Sequence, residues 1–324
     1  MSRAGEPAAN RSGDIVVGGF NPAIDTLAEV ESIEIGGVTR LRNLRRDAGG
    51  KGLHVALACA TLGAPSTLVG PIDTNNRPLF EQILTANNVR FVGVPIDQSI
   101  RTCWAIRDAQ GRLTELLEPG PLLSNERAAM LAASFMREAA SARFVVLSGS
   151  LPSGLQIDTY ARLITALDPA RVLLDTSGAP LAATLAAAPL VVKPNRQEAA
   201  QIAGMAIDTR DDAIRAATRI AARGPRFVLL SLGADGAIVH ERDGATWIVE
   251  APQVAVRNTV GAGDCLLAGF AVSLLRGDPI EQCARFAVAC GSAKTMHPET
   301  GLLQRNDVES LLSAVSVNRV SVHA

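Results

Sequence analysis

The sequence predicts an α/β protein with a mainly parallel central sheet, helices on both faces of that sheet, and a small β-strand lid. Short apolar runs alternate with alanine-rich helical segments through most of the chain, which is the pattern of a parallel sheet covered by helices. The apolar runs are nearly continuous, as expected for strands buried on both faces. Two segments instead alternate polar and apolar residues, and we assign them to short antiparallel strands that form the lid.

The predicted elements follow one another along the chain. The strand candidates are DIVVGG, STLVG, RFVVLSG, RVLLDTSG, LVVKPN and RFVLLSLG. The helix candidates are residues 52–63, 75–87, 125–141, 156–167, 196–204, 210–223, 262–276 and 279–296, from their apolar spacing. The lid candidates are residues 27–48 and 90–118, the second of which contains the turn DAQG. Ligands of such sheets bind beyond the carboxyl ends of the strands.

Length favours one large domain with an accessory element, because 324 residues are many for one average domain and few for two large ones. We predict a disordered leader at residues 1–13, a single domain over residues 14–318 that contains both lid segments, and a tail at residues 319–324. The N-terminal segment is polar and lacks the apolar centre of a signal peptide. We therefore expect a cytoplasmic protein.

Composition excludes several classes of partner. Apolar residues make up 48% of the chain and charged residues 19%, and no run has the length and purity of a membrane span. The net charge is −1 with dispersed Lys and Arg, so we expect binding neither to nucleic acid nor to a membrane surface. The five cysteines form no CxxC pair, which favours buried thiols in a reducing compartment.

The segment NTVGAGDCLLAGF predicts an anion site at the start of a helix. Gly261 and Gly263 allow a sharp turn and close approach to backbone N–H groups, and the helix dipole favours negative charge there. Asp264 would stand beside a bound phosphate, ready to accept a proton. The alternative is an ordinary loop with a helix-stabilising acid in the first turn, and the segment alone does not decide between them.

Polar loops follow four other predicted strands: SGSLPSG, DTSG, KPNRQE and SLGADG. Each alone is a turn built from favoured turn residues, but together they line one sheet edge. In KPNRQE, Asn195 caps a helix and Glu198 completes a capping box, while the same pair suits the outer shell of a hydrated Mg²⁺. Lys193 at the mouth of a buried strand favours an anionic neighbour.

Two N-terminal motifs add a second anion-tolerant region. GGFNPAID places Asp25 just past the first strand, and AGGKGLHVA sets two glycines ahead of Lys51 and a helix. The spacing fits neither a Walker A loop nor the GxGxxG fingerprint, and no protein-kinase HRD or DFG motif is present. A dehydrogenase is therefore the least favoured enzyme class.

Five segments of the chain, in their order, resemble those of the ribokinase-like (PfkB) sugar kinases, and the resemblance extends over residues 14 to about 315. The segments are GGKGLHVALACATLG, SGSLPSG, KPNRQE, SLGADG and NTVGAGDCLLAGF. NPAID, GVTR, GGKG and TELLEPGP are most similar to the branch of 1-phosphofructokinase and tagatose-6-phosphate kinase. The resemblance implies a three-layer αβα sandwich and ATP- and Mg²⁺-dependent phosphoryl transfer. It implies a ketohexose monophosphate as acceptor: fructose 1-phosphate, tagatose 6-phosphate or fructose 6-phosphate.

The resemblance also implies residue roles. Asp264 would be the general base, and the backbone of Gly261, Ala262 and Gly263 would form the anion hole. The residues implied for the nucleotide are Lys193, Asn195, Ser231, Gly233, Gly236, Asn258 and Thr259, with Asn195 and Glu198 holding Mg²⁺ through water. The residues implied for the acceptor are Asp25, Arg40, Gly49, Gly50, Lys51, His54, Arg101 and Ser150. Arg40 would reach the acceptor phosphate from the partner subunit of a homodimer formed through the lids.

Two positions depart from the family pattern. His54 stands where the family has Asn, so the identity of the sugar is left open. Cys265 stands where Ser is frequent in the family, and we interpret it as a small packing residue. Two alternatives therefore remain. One is a kinase for an unphosphorylated sugar or nucleoside, for which Arg101 and Lys51 would be dispensable, and the other is a non-catalytic sensor of nucleotide or sugar phosphate.

Overall fold

The computed structural model describes residues 14–320, so the predicted leader and the last four residues lie outside it. The strands are β1 (Ile15–Gly18), β2 (Ala23–Glu29), β3 (Arg42–Gly49), β4 (Ser66–Asp73), β5 (Arg90–Ile96), β6 (Arg101–Arg107), β7 (Leu113–Leu117), β8 (Phe144–Ser148), β9 (Val172–Asp175), β10 (Val191–Val192), β11 (Phe227–Ser231), β12 (Ala237–Glu241), β13 (Thr246–Glu250) and β14 (Ser316–Val320). The helices are α1 (Lys51–Thr61), α2 (Arg77–Ala86), α3 (Asn125–Ala139), α4 (Thr159–Ala166), α5 (Gly178–Thr184), α6 (Arg196–Ala203), α7 (Arg210–Ala221), α8 (Ala262–Arg276), α9 (Ile280–Thr295) and α10 (Arg305–Leu311).

A ten-stranded sheet forms the centre of the molecule, in the order β14-β13-β12-β11-β10-β9-β8-β1-β4-β5. The strands from β11 to β5 in that order pair in parallel, whereas β12, β13 and β14 pair antiparallel at one end. All six predicted strands lie in the parallel part, and strands β1, β4, β9 and β10 are buried along their whole length. The carboxyl ends of the parallel strands therefore meet at one edge.

Helices cover both faces of the sheet. A Cβ atom on Gly18 would meet Phe135 of α3, whereas one on the next residue, Gly19, would meet Gly52 of α1. Successive residues of an extended chain point to opposite faces, so α3 and α1 lie on opposite sides of β1. The predicted three-layer αβα sandwich is confirmed.

The lid is a separate four-stranded sheet in the order β3-β2-β6-β7. The β2–β3 and β6–β7 pairs are antiparallel, and the predicted turn DAQG closes the second pair through a hydrogen bond from Gly111 N to Asp108 O (2.9 Å). The pairing between β2 and β6 is parallel, in contrast to the all-antiparallel lid expected from the sequence.

Several boundaries differ from the predictions. Residues 90–96 do not begin the second lid segment; they form β5, parallel to β4 at the edge of the central sheet. An edge strand is less covered than an inner one, which explains the alternating pattern that led to the lid assignment. The predicted tail begins within β14, which runs to Val320. Strands β12 to β14 and helices α5 and α10 were not predicted.

Within residues 14–320, no helix combines the length and the apolar character needed to cross a bilayer.

Candidate active site

The N-terminus of α8 presents unpaired backbone donors at the carboxyl edge of the sheet. Gly261, the residue before the helix, has φ +87°, a left-handed conformation that favours glycine. The N–H of Ala262 donates to Thr259 O (3.1 Å), so one amide of the predicted anion hole is engaged. The N–H groups of Gly261, Gly263 and Asp264 have no acceptor within residues 14–320. Together with the helix dipole they suit an anion.

Asp264 lies in the first turn of α8 and is 5% exposed. His54 of α1 contacts it through Nδ1, 2.9 Å from Asp264 Oδ2. The other ring nitrogen, Nε2, lies 3.1 Å from Asp25 Oδ2 on β2. This second contact is an ion-pair distance without the alignment of a hydrogen bond, because Nε2 has no hydrogen-bond partner. The predicted base and the predicted sugar-binding aspartate are thus joined by one imidazole.

Two glycines hold these side chains closely. A Cβ atom on Gly301 would lie 2.2 Å from His54 Cδ2, and one on Gly49 would lie 2.1 Å from the carboxylate carbon of Asp25. Side chains at these positions would displace the imidazole or the carboxylate. The predicted role of Gly49 at the acceptor site therefore includes making room for Asp25.

The charge state of His54 follows from its surroundings. Burial alone would lower the pKa of His54, but the adjacent carboxylates of Asp25 and Asp264 outweigh it and raise the pKa to about 10. At neutral pH the ring is therefore an imidazolium, with both nitrogens protonated.

A second charged cluster lies beside the first. Asp175 at the end of β9 is 1% exposed and is paired with Lys51 Nζ at 3.1 Å and Lys193 Nζ at 3.2 Å. Burial would raise the pKa of Asp175, but Lys193 and Lys51 outweigh it and hold that pKa below its ordinary value. The charge of Asp175 in turn raises the pKa of Lys51. This cluster has one carboxylate and two ammonium groups, so it carries a net positive charge.

Lys193 connects this cluster to the helix entrance, because a Cβ atom on Gly263 would lie 3.3 Å from Lys193 Nζ. A cation beside unpaired amides strengthens the case for an anion site. Asp175 was not predicted as a site residue, although its loop DTSG was predicted to lie at the sheet edge. The sequence did contain an indication of its role. Lys51 and Lys193 were both predicted to bind anions at the same site, and two neighbouring ammonium groups repel one another unless an acidic residue lies between them.

The loops after β10 and β11 lie side by side, since Ser231 N donates to Pro194 O (3.0 Å). Gly233 has φ +66° and open space where a side chain would be, whereas Gly236 faces Val249 O, 2.0 Å from an ideal Cβ position. Gly233 is therefore exposed for a ligand, and Gly236 is required by packing against β13.

Asn195 and Glu198 form a complete capping box at the start of α6. Glu198 N donates to Asn195 Oδ1 (2.9 Å), and Asn195 N donates to Glu198 Oε2 (2.9 Å). Glu198 Oε1 remains without a hydrogen bond to the described residues, and Asn195 is exposed. No group of three or more His, Cys, Asp or Glu within residues 14–320 is arranged to hold a metal. The side-chain oxygens of this pair are of a type that contacts hydrated Mg²⁺ through water.

The loop before α8 is held from behind by a buried lysine. Lys294 of α9 is fully buried and donates from Nζ to Asn258 O (2.8 Å). The Asn258 side chain is engaged with Pro298 O and Val260 N, both at 3.0 Å, whereas Thr259 is exposed. Burial lowers the pKa of Lys294 to about 8. Lys294, unlike Lys51 and Lys193, lies in no motif that predicted a functional role.

The predicted acceptor residues Arg101, Ser150 and Arg40 differ in how far their polar groups are engaged by the described residues. Arg101 on β6 donates from Nη1 to Glu118 O (3.3 Å), but its buried Nε has no partner in the described chain. Ser150 accepts a hydrogen bond from Asn21 Nδ2 (2.9 Å), so Asn21, which was not predicted as a site residue, positions Ser150. Arg40 is exposed in the loop between β2 and β3.

Buried polar atoms without a hydrogen-bond partner concentrate in this region. Such atoms are rare in folded proteins and usually meet water or a ligand. Within residues 14–320 they belong to Asn21, Thr26, His54, Arg101, Ser148, Asp175 and Thr176. All seven residues are in the lid, at the start of α1, or at the carboxyl ends of β1, β8 and β9. This distribution marks the space between lid and sheet edge as a polar binding site.

Comparison with known proteins finds relatives over nearly the whole chain. Residues 15–306 match the family described as pfkB family carbohydrate kinase. A 1-phosphofructokinase of Xanthomonas campestris pv. campestris is 34% identical over 309 residues, covering 93% of this chain and 97% of that protein. A 1-phosphofructokinase of Bacillus subtilis (strain 168) is 30% identical over 305 residues, covering 93% and 98%. The solved phosphofructokinase-2 from Escherichia coli in complex with fructose-6-phosphate has a TM-score of 0.82 at 26% identity, covering 92% and 98%.

Proposed function

The chain belongs to the pfkB family of carbohydrate kinases, and on that premise we propose that it phosphorylates a ketohexose monophosphate with ATP, fructose 1-phosphate being the first candidate. Membership makes the protein a phosphotransferase with an alcohol acceptor and implies ATP as the donor. The resemblance to ribokinase-like (PfkB) kinases is thereby confirmed. Two curated relatives named 1-phosphofructokinase favour fructose 1-phosphate, while the E. coli complex keeps fructose 6-phosphate as an alternative.

One observation carries the proposal: Asp264 and three unpaired amides meet the Lys51–Asp175–Lys193 cluster at the start of α8. Asp264 Oδ1 makes no hydrogen bond to the described residues, so this oxygen accepts the proton of the attacking hydroxyl. The amides of Gly261, Gly263 and Asp264 hold the charge that develops on the transferred phosphoryl group. The ammonium of Lys193, which lies against Gly263, adds to that stabilisation.

The nucleotide extends along the loops after β10 and β11, where Ser231 and Gly233 offer polar and backbone groups. Mg²⁺ bound through water near Asn195 and Glu198 neutralises phosphate charge when present. Phosphoryl transfer needs positioning and charge stabilisation more than covalent chemistry, and the chain's own residues provide both. The buried position of Asp264 excludes competing water from the base.

The partly unpaired guanidinium of Arg101 supports a phosphorylated acceptor. A buried donor without a partner suits an anionic ligand. Arg101→Met should therefore raise KM for the phosphosugar about 10-fold or more while KM for ATP stays the same. Arg112→Met is the matched control, because Arg112 lies in the same lid, is 74% exposed and contacts the Asp108 carboxylate.

The direct test is ADP release from purified protein with ATP and Mg²⁺ across an acceptor panel. The panel contains fructose 1-phosphate, fructose 6-phosphate, tagatose 6-phosphate, fructose, ribose and adenosine. We expect turnover with a phosphorylated ketohexose and none with the free compounds. Turnover with free sugars or adenosine alone would favour the alternative kinase class, and ligand binding without turnover would favour a sensor.

We further propose that two copies associate through their lids. The lid exposes a set of large apolar side chains, which is unusual for a free surface. They are Ile33, Ile35, Val38, Leu41, Leu44, Leu116 and Leu117, with Ile35 98% exposed. Arg40 lies within this set and would face the partner's site. The molar mass of the wild type measured by light scattering should be that of a dimer. The double substitution Leu117→Glu and Val38→Glu should reduce it to that of a monomer. A monomeric wild type would refute the proposal.

A further inference from the structure

Resting on the proposed function, the geometry points to His54 as a positioning residue that holds Asp25 and Asp264 in one Asp–His–Asp array. Asp25 binds the acceptor sugar and Asp264 takes its proton in the proposed reaction. The array consists of Asp25, His54 and Asp264, which come from the lid, from α1 and from α8. One side chain thereby sets the distance between the two residues that must meet the same sugar.

The packing around His54 supports a fixed position. Its side chain is 5% exposed, and Gly301 lies against the ring so closely that even a methyl group there would overlap His54 Cδ2. Both nitrogens face carboxylates, Nδ1 at 2.9 Å from Asp264 and Nε2 at 3.1 Å from Asp25. Because the ring is clamped on three sides, it cannot turn without losing one of these contacts.

The two carboxylates around the His54 ring both favour its protonated form. Asp25 faces it from β2 and Asp264 faces it from α8, while the 298–301 loop contributes Gly301 at the ring. On its own helix, Lys51 lies near enough to Asp264 for that carboxylate to raise the pKa of Lys51. The raised pKa of His54 agrees with this geometry, since an imidazolium presents an N–H group to both carboxylates and a neutral ring presents one to a single carboxylate.

The array has a consequence for the reaction. His54 engages Asp264 Oδ2, which restricts rotation of the carboxylate and leaves Oδ1 for the sugar hydroxyl. A base held in one orientation reacts from a preorganised geometry. The same ring restrains Asp25, so displacement of the lid strand is transmitted to the base. An Asn at this position, as in the family pattern, carries one amide group and no charge.

Two substitutions of His54 test its two contacts separately, because each retains a nitrogen at one of the two donor positions of the ring. In His54→Asn the amide nitrogen takes the place of Nδ1 and faces Asp264; in His54→Gln it takes the place of Nε2 and faces Asp25. Hydrogen bonds to charged groups correspond to about 10- to 100-fold in an equilibrium or rate. We expect His54→Asn chiefly to raise KM for the sugar about 10-fold, and His54→Gln chiefly to lower kcat about 10-fold.

A second readout does not depend on turnover. The chain has four histidines, so imidazole ¹⁵N resonances can be assigned with His54→Asn and followed by NMR as the pH rises. We expect the His54 ring to stay doubly protonated well above pH 8 and to titrate lower in Asp25→Asn and Asp264→Asn. His240, which contacts Thr246 Oγ1 at 2.8 Å and whose pKa burial lowers, is the internal control and should be neutral at pH 7.

The two readouts separate the possible failures. Titration of His54 near its ordinary value overturns the array even in an active kinase. Equal kcat and KM in wild type, His54→Asn and His54→Gln overturn the positioning role even if the imidazolium is present. Absence of turnover across the whole acceptor panel, with the NMR titration as expected, overturns the proposed function and with it the positioning role, but not the charge state of His54.

Discussion

Replacing Asp264 by asparagine tests the proposed base with little change of shape. The amide oxygen of the substituted side chain would still accept from His54 Nδ1, which lies 2.9 Å from the carboxylate in the wild type. The group facing the sugar hydroxyl would no longer accept a proton. General-base catalysis contributes about 10²- to 10⁴-fold, so kcat should fall by at least about 10²-fold. That fall corresponds to about 3 kcal/mol or more in the activation free energy.

The assay is initial-rate ADP release at saturating ATP, with the acceptor that works best in the panel. Nucleotide affinity, measured by calorimetry with a non-hydrolysable ATP analogue, should change little, because the backbone amides and Lys193 are retained. Asp243→Asn is the matched control, since Asp243 is 94% exposed and lies in the β12–β13 turn. Normal kcat in Asp264→Asn, with the control also normal, would refute the assignment of the base.

Three further predictions concern the surrounding side chains. Lys193→Met removes a partner of the buried Asp175 carboxylate and should lower the free energy of unfolding by about 3 kcal/mol; a urea midpoint equal to that of the wild type would contradict this. Gly49→Ala would place a methyl group about 2 Å from the Asp25 carboxylate and should raise KM for the sugar, not for ATP, about 10-fold; the two KM values measured in parallel decide. His54 has a raised folded-state pKa, so its stabilisation is complete below pH 6.5 and is lost as the pH rises through about 10. The difference in unfolding free energy between wild type and His54→Asn should therefore shrink from pH 6.5 upward, by at most about 1.4 kcal/mol per pH unit, and a flat difference would refute it.

The sequence predicted six of the seven parallel strands because each of the six is a nearly continuous apolar run with polar residues at its end. It failed for β5, where exposure at a sheet edge produced the alternation typical of a lid strand. It also missed β12 to β14, although an Asp-Gly turn lies between β12 and β13. Strand β14 gives no pattern of its own, because it is mostly exposed.

The sequence predicted which residues belong to the candidate site better than it predicted which of them contact one another. Asp264, Lys193 and His54 were each named from motifs, and the structure brings all three to the start of α8. No motif indicated that His54 contacts both Asp25 and Asp264, because these residues are 29 and 210 positions away in the chain. Lys294 was missed for a similar reason, since its contact with Asn258 O depends on how α9 packs behind the loop.

The contact between His54 and Gly301 restricts the order in which substitutions become tolerable. Gly301 has φ +67° and no room for a side chain while a histidine occupies position 54. Shortening residue 54 to asparagine would not free this space, because asparagine keeps Cβ and Cγ, which in His54 lie 2.7 and 2.3 Å from the ideal Cβ position of Gly301. The pair 54 and 301 should thus be epistatic: a side chain at 301 would be damaging as long as residue 54 keeps its Cβ and Cγ atoms, so that mutational history at one position governs what selection permits at the other.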